Sequence, residues 1–187
     1  MKTDKKYDKS FCPNKEECYE ILREYGTPEH VIRHSEAVAK VSIAIGKELI
    51  SKGLKLNINL IESASYLHDI ARTKSKHDMV GAKYLYEIGL IDISEVIKDH
   101  TFHRISDDIS TLNETDILCI ADRMVIEDKF AGPRNRMKYI IDKAVLKFGE
   151  EKREELELNL ESFVKFTEGL ENYIGKKIID IIPENIR

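Results

Sequence analysis

The sequence has few cysteines, no tryptophan and no long apolar run, and these absences limit the classes of protein to which it can belong. Cys12, Cys18 and Cys119 are an odd number at no metal-ligand spacing, so we expect reduced thiols in the cytoplasm rather than a disulfide framework. No apolar run approaches the ~20 residues of a membrane span. The start, MKTDKKYDKSF, lacks the apolar segment of a signal peptide. A cytoplasmic protein without membrane contact is predicted.

Positive charge is not in excess either. The chain has 30 Lys and Arg residues against 34 Asp and Glu residues, for a net charge of −4. This balance argues against nucleic acid as a partner, although a small anion can still bind where arginines are concentrated. The 187 residues, 42% of them apolar, suit a single globular core. We predict a flexible N-terminal segment over residues 1–13 and one helical domain over residues 14–187.

Local start and stop signals predict an all-α fold of about eight helices. Asn14 with Glu17, and Asn113 with Asp116, have the spacing of capping boxes, in which each side chain bonds the other residue's backbone N–H. Apolar residues recur at helical spacing between such signals, and no segment alternates with the period of two that a strand would show. The apolar stripe of the last helices is a candidate contact for a homo-oligomer.

Several histidines and aspartates occupy the apolar faces of these predicted helices. His34 shares a face with Val31 and Val38, and the pair His68-Asp69 falls inside a helix predicted over about 59–71. Such groups are costly to bury without partners. A divalent cation would compensate them together, because imidazole nitrogen and carboxylate oxygen are common metal ligands. The alternative is that they satisfy one another inside a purely helical interaction protein. The other histidines and aspartates proposed as metal ligands are His77, His100 (also placed in a helix) and Asp122.

The order of these residues resembles the HD superfamily of metal-dependent phosphohydrolases. The pattern is one His, then the adjacent pair in the phrase LHDIAR, then a distant Asp in the phrase CIADRM. The resemblance implies an HD-type helical bundle with its metal-binding core over about 27–135 and further helices over 136–187. The residues that match the pattern are His34, His68, Asp69 and Asp122.

Two further segments resemble members of the superfamily that hold two metal ions. KHDMVGAKYL contains His77 and IKDHTFH contains His100, a layout similar to that of bacterial symmetrical diadenosine tetraphosphate hydrolases. Where those enzymes tend to have Gly after a His-Thr pair, this chain has Phe102-His103-Arg104, which argues against a dinucleotide substrate. The segment TPEHVIRHSEAVAKVS resembles HD domains found with molybdenum-cofactor nucleotidyltransferases.

The resemblance implies a chemistry as well as a ligand set. Two divalent ions (Fe, Mn, Mg, Zn or Ni) would share Asp69, and a metal-bridged hydroxide would attack phosphorus in a nucleotide or related phosphoester or phosphoanhydride. A single ion with four ligands stays open. The first ion would be completed by His34, His68 and Asp122, and the second by His77 and His100.

Local positive charge would have to hold the phosphate. Arg72, Arg104 and Arg123 lie near the proposed ligands in sequence, and guanidinium groups bind phosphate oxygens well. His103 could donate a proton. Together with the shared ligand and the phosphate-binding arginine, this gives three predicted catalytic residues: Asp69, Arg72 and His103. The alternative to a hydrolase is a catalytically idle HD domain that binds a nucleotide and acts as a sensor or partner-binding module.

Overall fold

The described part of the chain, residues 7–187 of this computed structural model without the side chain of Lys152, is built almost entirely from helices. Among these residues nine α-helices are found rather than about eight, and the all-α prediction is confirmed. The strands β1 (Val125–Ile126) and β2 (Lys129–Phe130) form one short antiparallel hairpin. The helices are α1 (Lys15–Tyr25), α2 (Glu29–Ser51), α3 (Ile58–Leu67), α4 (His77–Glu87), α5 (Ile91–Ile97), α6 (Glu114–Asp122), α7 (Gly132–Phe148), α8 (Arg153–Ile174) and α9 (Ile178–Ile181).

Both predicted capping boxes are present. The Asn14 side chain accepts from the Glu17 N–H at 3.0 Å, and the Glu17 carboxylate accepts from the Asn14 N–H at 2.8 Å. The same exchange joins Asn113 and Asp116, at 3.0 Å in both directions. These bonds satisfy backbone donors that an uncapped helix leaves free. The second box fixes the start of α6, the helix that ends at Asp122.

The core surrounds the long helix α2. This helix packs against α3 and α6, and α3 in turn packs against α1 and α5. Fully buried side chains such as Ile45, Leu49, Leu67 and Leu118 fill the space between them. The packing brings the end of α3 and the end of α6 beside the first half of α2, which is where the polar residues of the candidate site lie. A smaller apolar cluster joins α7 to α8.

The N-terminal segment contacts this helical body where it is described. The backbone N–H of Tyr7 donates to the carbonyl of Ile88 at 2.9 Å, and that of Asp92 donates to the carbonyl of Lys9 at 3.2 Å. Residues 1–6 lie outside the described residues, so the flexible segment over 1–13 stays a prediction. Within residues 7–187, no helix has both the length and the apolar character needed to cross a membrane.

Two glycines in the interior of helices make a matched pair for a test of packing. A Cβ at Gly81 of α4 would lie 2.9 Å from Cγ2 of Ile70, whereas a Cβ at Gly169 of α8 would meet nothing closer than 4.0 Å. Alanine favours a helix over glycine by roughly 1 kcal/mol, but overpacking a core costs about 1–3 kcal/mol. We expect Gly81→Ala to lower the free energy of unfolding and Gly169→Ala to raise it, as measured by denaturant titration. Equal changes in both variants would contradict the close packing of α4.

Candidate metal centre

The six predicted metal ligands come from five separate parts of the fold. His34 lies in the first half of α2, His77 is the first residue of α4, and Asp122 is the last residue of α6. The other three follow helices rather than lying inside them, which corrects the prediction. The turn after α3 carries His68 and Asp69, and the segment after α5 carries His100.

Beyond the ends of both helices a histidine ring contacts a backbone carbonyl of the last turn. The Nδ1 atom of His68 lies 2.8 Å from the carbonyl oxygen of Ser65, and that of His100 lies 2.7 Å from the carbonyl oxygen of Ile97. In both cases the ring contacts the carbonyl three residues earlier, near the end of a helix, where carbonyl groups lack their usual helical partners. The carbonyl of Ile97 also accepts from the backbone N–H of His100 at 3.2 Å. The sequence pattern does not predict this contact between the imidazole and the backbone.

These contacts also determine which ring nitrogen is free. A carbonyl oxygen can only accept, so the proton of a neutral His68 or His100 must be on Nδ1. The same holds for His34, whose Nδ1 lies 2.7 Å from the carbonyl oxygen of Glu127. In all three residues Nε2 then carries a lone pair. A backbone carbonyl on Nδ1 and a free Nε2 are the arrangement that metal-binding histidines usually have.

The free nitrogens and the carboxylates face one another. Nε2 of His34 lies 3.1 Å from Oδ1 of Asp122, and Nε2 of His68 lies 3.6 Å from Oδ2 of Asp69. Oδ1 of Asp69 lies 3.1 Å from Nε2 of His77 and 3.7 Å from Nε2 of His100. In the part of the chain that the structure describes, two sets of three donor atoms have all their members within 4.8 Å of one another. They are His34, His68 and Asp122, and His68, Asp69 and His100.

His68 gives the clearest test of whether a cation fits. Its side chain is completely buried, and its Nε2 has no hydrogen-bond partner among the described residues. Burial lowers the pKa of His68 to about 4, so the ring is neutral near pH 7 and its lone pair is unsatisfied. Such a buried acceptor is costly. A divalent cation held by the donor sets would satisfy it, so the residues fit a metal.

The two carboxylates stay ionised in this setting. Burial alone would raise the pKa of Asp69, but the electrostatic interaction with His68 and the contacts with His100 and His77 hold that pKa well below its usual value. Burial likewise acts against ionisation of Asp122, and its contacts with His34 and Arg136 outweigh it and lower the pKa. Ionised oxygens are the form that a cation needs.

The pKa values of two other histidines are shifted in the opposite direction to that of His68. Burial lowers the pKa of His34, but its hydrogen bond and charge interaction with Asp122 outweigh burial and raise the pKa above its ordinary value. The pKa of His100 is also raised, because its interaction with Asp69 outweighs burial. Without a bound cation, these two histidines therefore take up a proton more readily than an ordinary histidine does.

Arg72 is the predicted phosphate-binding residue that the structure brings to the cluster. Its Nη1 lies 3.5 Å from Oδ1 of Asp69 and donates to Nε2 of His77 at 3.1 Å. The side chain is 49% exposed while Asp69 is buried, so the guanidinium extends from the ligands toward solvent. A group placed in this way can contact a phosphate that approaches the cluster from outside.

The other predicted residues lie in or beside the loop that follows His100. His103 donates from Nε2 to Oδ1 of Asp116 at 2.8 Å, and Arg123 donates from Nη2 to the carbonyl of His103 at 2.7 Å. Neither belongs to a donor set. Arg104 pairs with Asp107 at 3.3 Å, both 88% exposed. His103 and Arg123 thus attach this loop to α6, and Arg104 has no described contact with the cluster.

One residue at the site was missed by the sequence analysis. Arg136 of α7 is buried and donates to both the carbonyl and the carboxylate of Asp122, from Nε at 3.2 Å and from Nη2 at 3.3 Å. In sequence it is one of several basic residues around 134–138, and nothing distinguishes it from its exposed neighbours. Only the packing of α7 against the β hairpin shows its role.

Comparison with known proteins places the chain in a family. The HD domain family matches residues 31–125, just over half of the chain, and the chain belongs to this family. The matched range contains all six predicted ligands. HD domains bind divalent metals and are generally phosphohydrolases, which agrees with the donor sets described above. The match is to the HD domain as a whole and does not distinguish the subset that holds two ions.

Curated proteins with similar sequences include two tRNA methyltransferases and one uncharacterised protein. The tRNA (cytidine(56)-2'-O)-methyltransferase of Thermoplasma volcanium is 30% identical over 92 residues, or 47% of this chain and 26% of that protein. The enzyme of the same name from Picrophilus torridus is 28% identical over 95 residues, again 26% of its length. An uncharacterised protein of Methanocaldococcus jannaschii is 31% identical over 64 residues. The chain thus spans about a quarter of each methyltransferase. No solved structure matches it.

Proposed function

We propose that this chain is a metal-dependent phosphohydrolase that cleaves a nucleotide or a related phosphoester or phosphoanhydride. One observation carries the proposal: the buried Nε2 of His68 has no hydrogen-bond partner among the described residues. It lies among carboxylates and beside His34 and His100, whose Nδ1 atoms already contact carbonyl oxygens. Membership of the HD domain family supports the same conclusion. A set of residues that merely stabilised one another would not leave this nitrogen unsatisfied.

The proposal assigns two ions to the site. His34, His68 and Asp122 would hold the first and His77 and His100 the second, with Asp69 shared. Support for the shared role comes from the two oxygens of Asp69, because Oδ2 faces His68 whereas Oδ1 faces His77 and His100. Bound divalent cations would supply an activated water and neutralise charge that develops on the phosphoryl group.

The protein's own groups would bind and orient the substrate. Arg72 would donate to a phosphate oxygen from the exposed side of the cluster, since its guanidinium is half exposed and adjoins Asp69. In its doubly protonated form, with the Nε2 proton bonded to Asp116, His103 would give the proton on Nδ1 to the leaving oxygen. Arg104 and Arg123, on or beside the same loop, remain predicted contacts for more distant phosphate groups.

The methyltransferase relatives suggest a second candidate function. The alignment leaves about three quarters of each of those proteins without a counterpart here, so we do not transfer methylation to this chain. A segment similar to this chain inside a tRNA-modifying protein does favour the idle alternative, in which the domain binds a nucleotide or RNA for a partner. The complete ligand set argues for catalysis, because a sensor does not require all six residues.

The test is elemental analysis of protein purified without chelator, followed by assays on mononucleotides, diadenosine polyphosphates and cyclic dinucleotides. We expect stoichiometric Fe, Mn, Zn or Ni, and release of phosphate or nucleoside monophosphate that stops after chelation and returns on adding metal. Stoichiometric metal without turnover on any substrate would favour the binding module. Absence of metal in folded protein, with none taken up, would overturn both the site and the hydrolase.

A further inference from the structure

We infer that Arg136 is a positioning residue of this metal centre: it holds the carboxylate of Asp122 in the orientation in which that group can bind an ion. The inference rests on the proposed function, because it concerns the same site. It goes further by assigning a role to a helix that lies beyond the part of the chain matched by the HD domain family, which ends at residue 125.

The two hydrogen bonds of Arg136 end on one residue. Its Nε donates to the backbone carbonyl of Asp122 at 3.2 Å and its Nη2 donates to Oδ1 at 3.3 Å. One rigid planar guanidinium thus spans the main chain and the side chain of Asp122. Such a contact restricts the side-chain rotamer of the aspartate, since rotation would break one bond while the other stayed fixed.

The surroundings of Arg136 hold it in place as well. Its side chain is 9% exposed, and its guanidinium carbon lies 5.7 Å from the ring centre of Tyr139, one turn further along α7. Burying an arginine is costly unless its charge is paired. Here the described partner is a proposed metal ligand rather than a separate acidic residue. The same Oδ1 also faces His34 at 3.1 Å, so Arg136 acts on the atom that would join that ligand set.

Arg134 provides a matched control on the same helix. It is also an arginine of α7 in a two-bond ion pair, but its partner is Glu161 on the exposed face of α8. Its side chain is 47% exposed. Substitution at Arg134 removes an arginine from α7 without touching the proposed site, and surface pairs contribute little to stability.

The experiment is titration of chelated, metal-free protein with Mn²⁺ or Zn²⁺ by calorimetry, with helix content checked by circular dichroism. We expect Arg136→Met to weaken the tighter binding step about 10- to 100-fold, a usual effect of removing a group that orients a ligand. Arg136→Lys keeps the charge but not the two-point contact and should fall between. Arg134→Met should bind as the unsubstituted protein does. Equal affinity in Arg136→Met and the unsubstituted protein would overturn the inference.

A double substitution separates positioning from general support of the fold. If Arg136 acts through Asp122, then Arg136→Met should change metal affinity less than about twofold in an Asp122→Asn background. An undiminished effect in that background would overturn the inference, since the arginine would then act elsewhere. Failure of the proposed function gives different results: without the metal site the unsubstituted protein would bind no metal, and without catalysis it would bind metal but release no product in the hydrolase assay.

Discussion

Asp69→Asn is expected to lower phosphohydrolase turnover on the order of 10³-fold or more, the range seen when a central catalytic group is removed. Asp69 is buried, and its two oxygens face three imidazoles and one guanidinium. Asparagine fits the same space but carries no charge and replaces one oxygen by a donor, so it opposes a cation where aspartate attracts one. The measurement is kcat on the best substrate of the panel, together with bound metal by elemental analysis.

The control for this substitution is Asp107→Asn, the same chemical change at an exposed aspartate that pairs only with Arg104 among the described residues. It should leave kcat and metal content unchanged. Helix content should be close to normal in both variants, because Asp69 follows α3 rather than lying inside it. Activity of Asp69→Asn within tenfold of the unsubstituted protein would contradict the assignment of Asp69 as the shared ligand.

Metal affinity is expected to fall steeply as the pH is lowered from 8 to 6. A histidine binds metal only when neutral, and the pKa values of both His34 and His100 are raised by their carboxylate neighbours. Each therefore takes up a proton at a higher pH than an ordinary histidine. Below both pKa values the affinity should drop about 100-fold per pH unit, since each competing proton contributes about tenfold. His68, with a pKa lowered to about 4, stays neutral in this range.

Calorimetric titrations at several pH values, in buffers of different ionisation enthalpy, would measure both the affinity and the protons released. Release should approach two protons or more per protein at the acidic end. His103→Gln is the control, because His103 bonds Asp116 outside the donor sets, and the pH dependence should be the same in this variant. An affinity that does not change between pH 8 and pH 6 would show that His34 and His100 are not ligands.

The sequence predicted the architecture well, because its signals are local or repeat along the chain. The caps at Asn14 and Asn113 were read from a spacing of three residues, and both are present. The all-α class follows from apolar periodicity. The six ligand positions came from the order of a few polar residues, and the structure brings their side chains together around Asp69 and His68. Their roles remain part of the proposal.

The sequence could not show contacts that depend on how the helices pack. The ends of α3 and α5 differ from prediction, and beyond them His68 and His100 turn their rings back onto carbonyls, contacts that apolar periodicity does not indicate. Arg136 was not recognised because it reaches the site from the next helix, and its contact depends on how the hairpin folds α7 back toward Asp122. The environment of Arg104, which is paired with a neighbour in solvent, is equally invisible in the order of residues.

Substitutions in the hairpin between α6 and α7 can change the metal affinity of this site. Glu127 lies at its turn with a φ of 53°, a left-handed backbone conformation, and its carbonyl oxygen holds the ring of His34 through Nδ1. Glycine or asparagine can replace Glu127 there without strain, whereas valine or isoleucine would force the turn to change shape. Such a change would tilt the imidazole, so the affinity for an ion could be adjusted through a peptide group that never touches it.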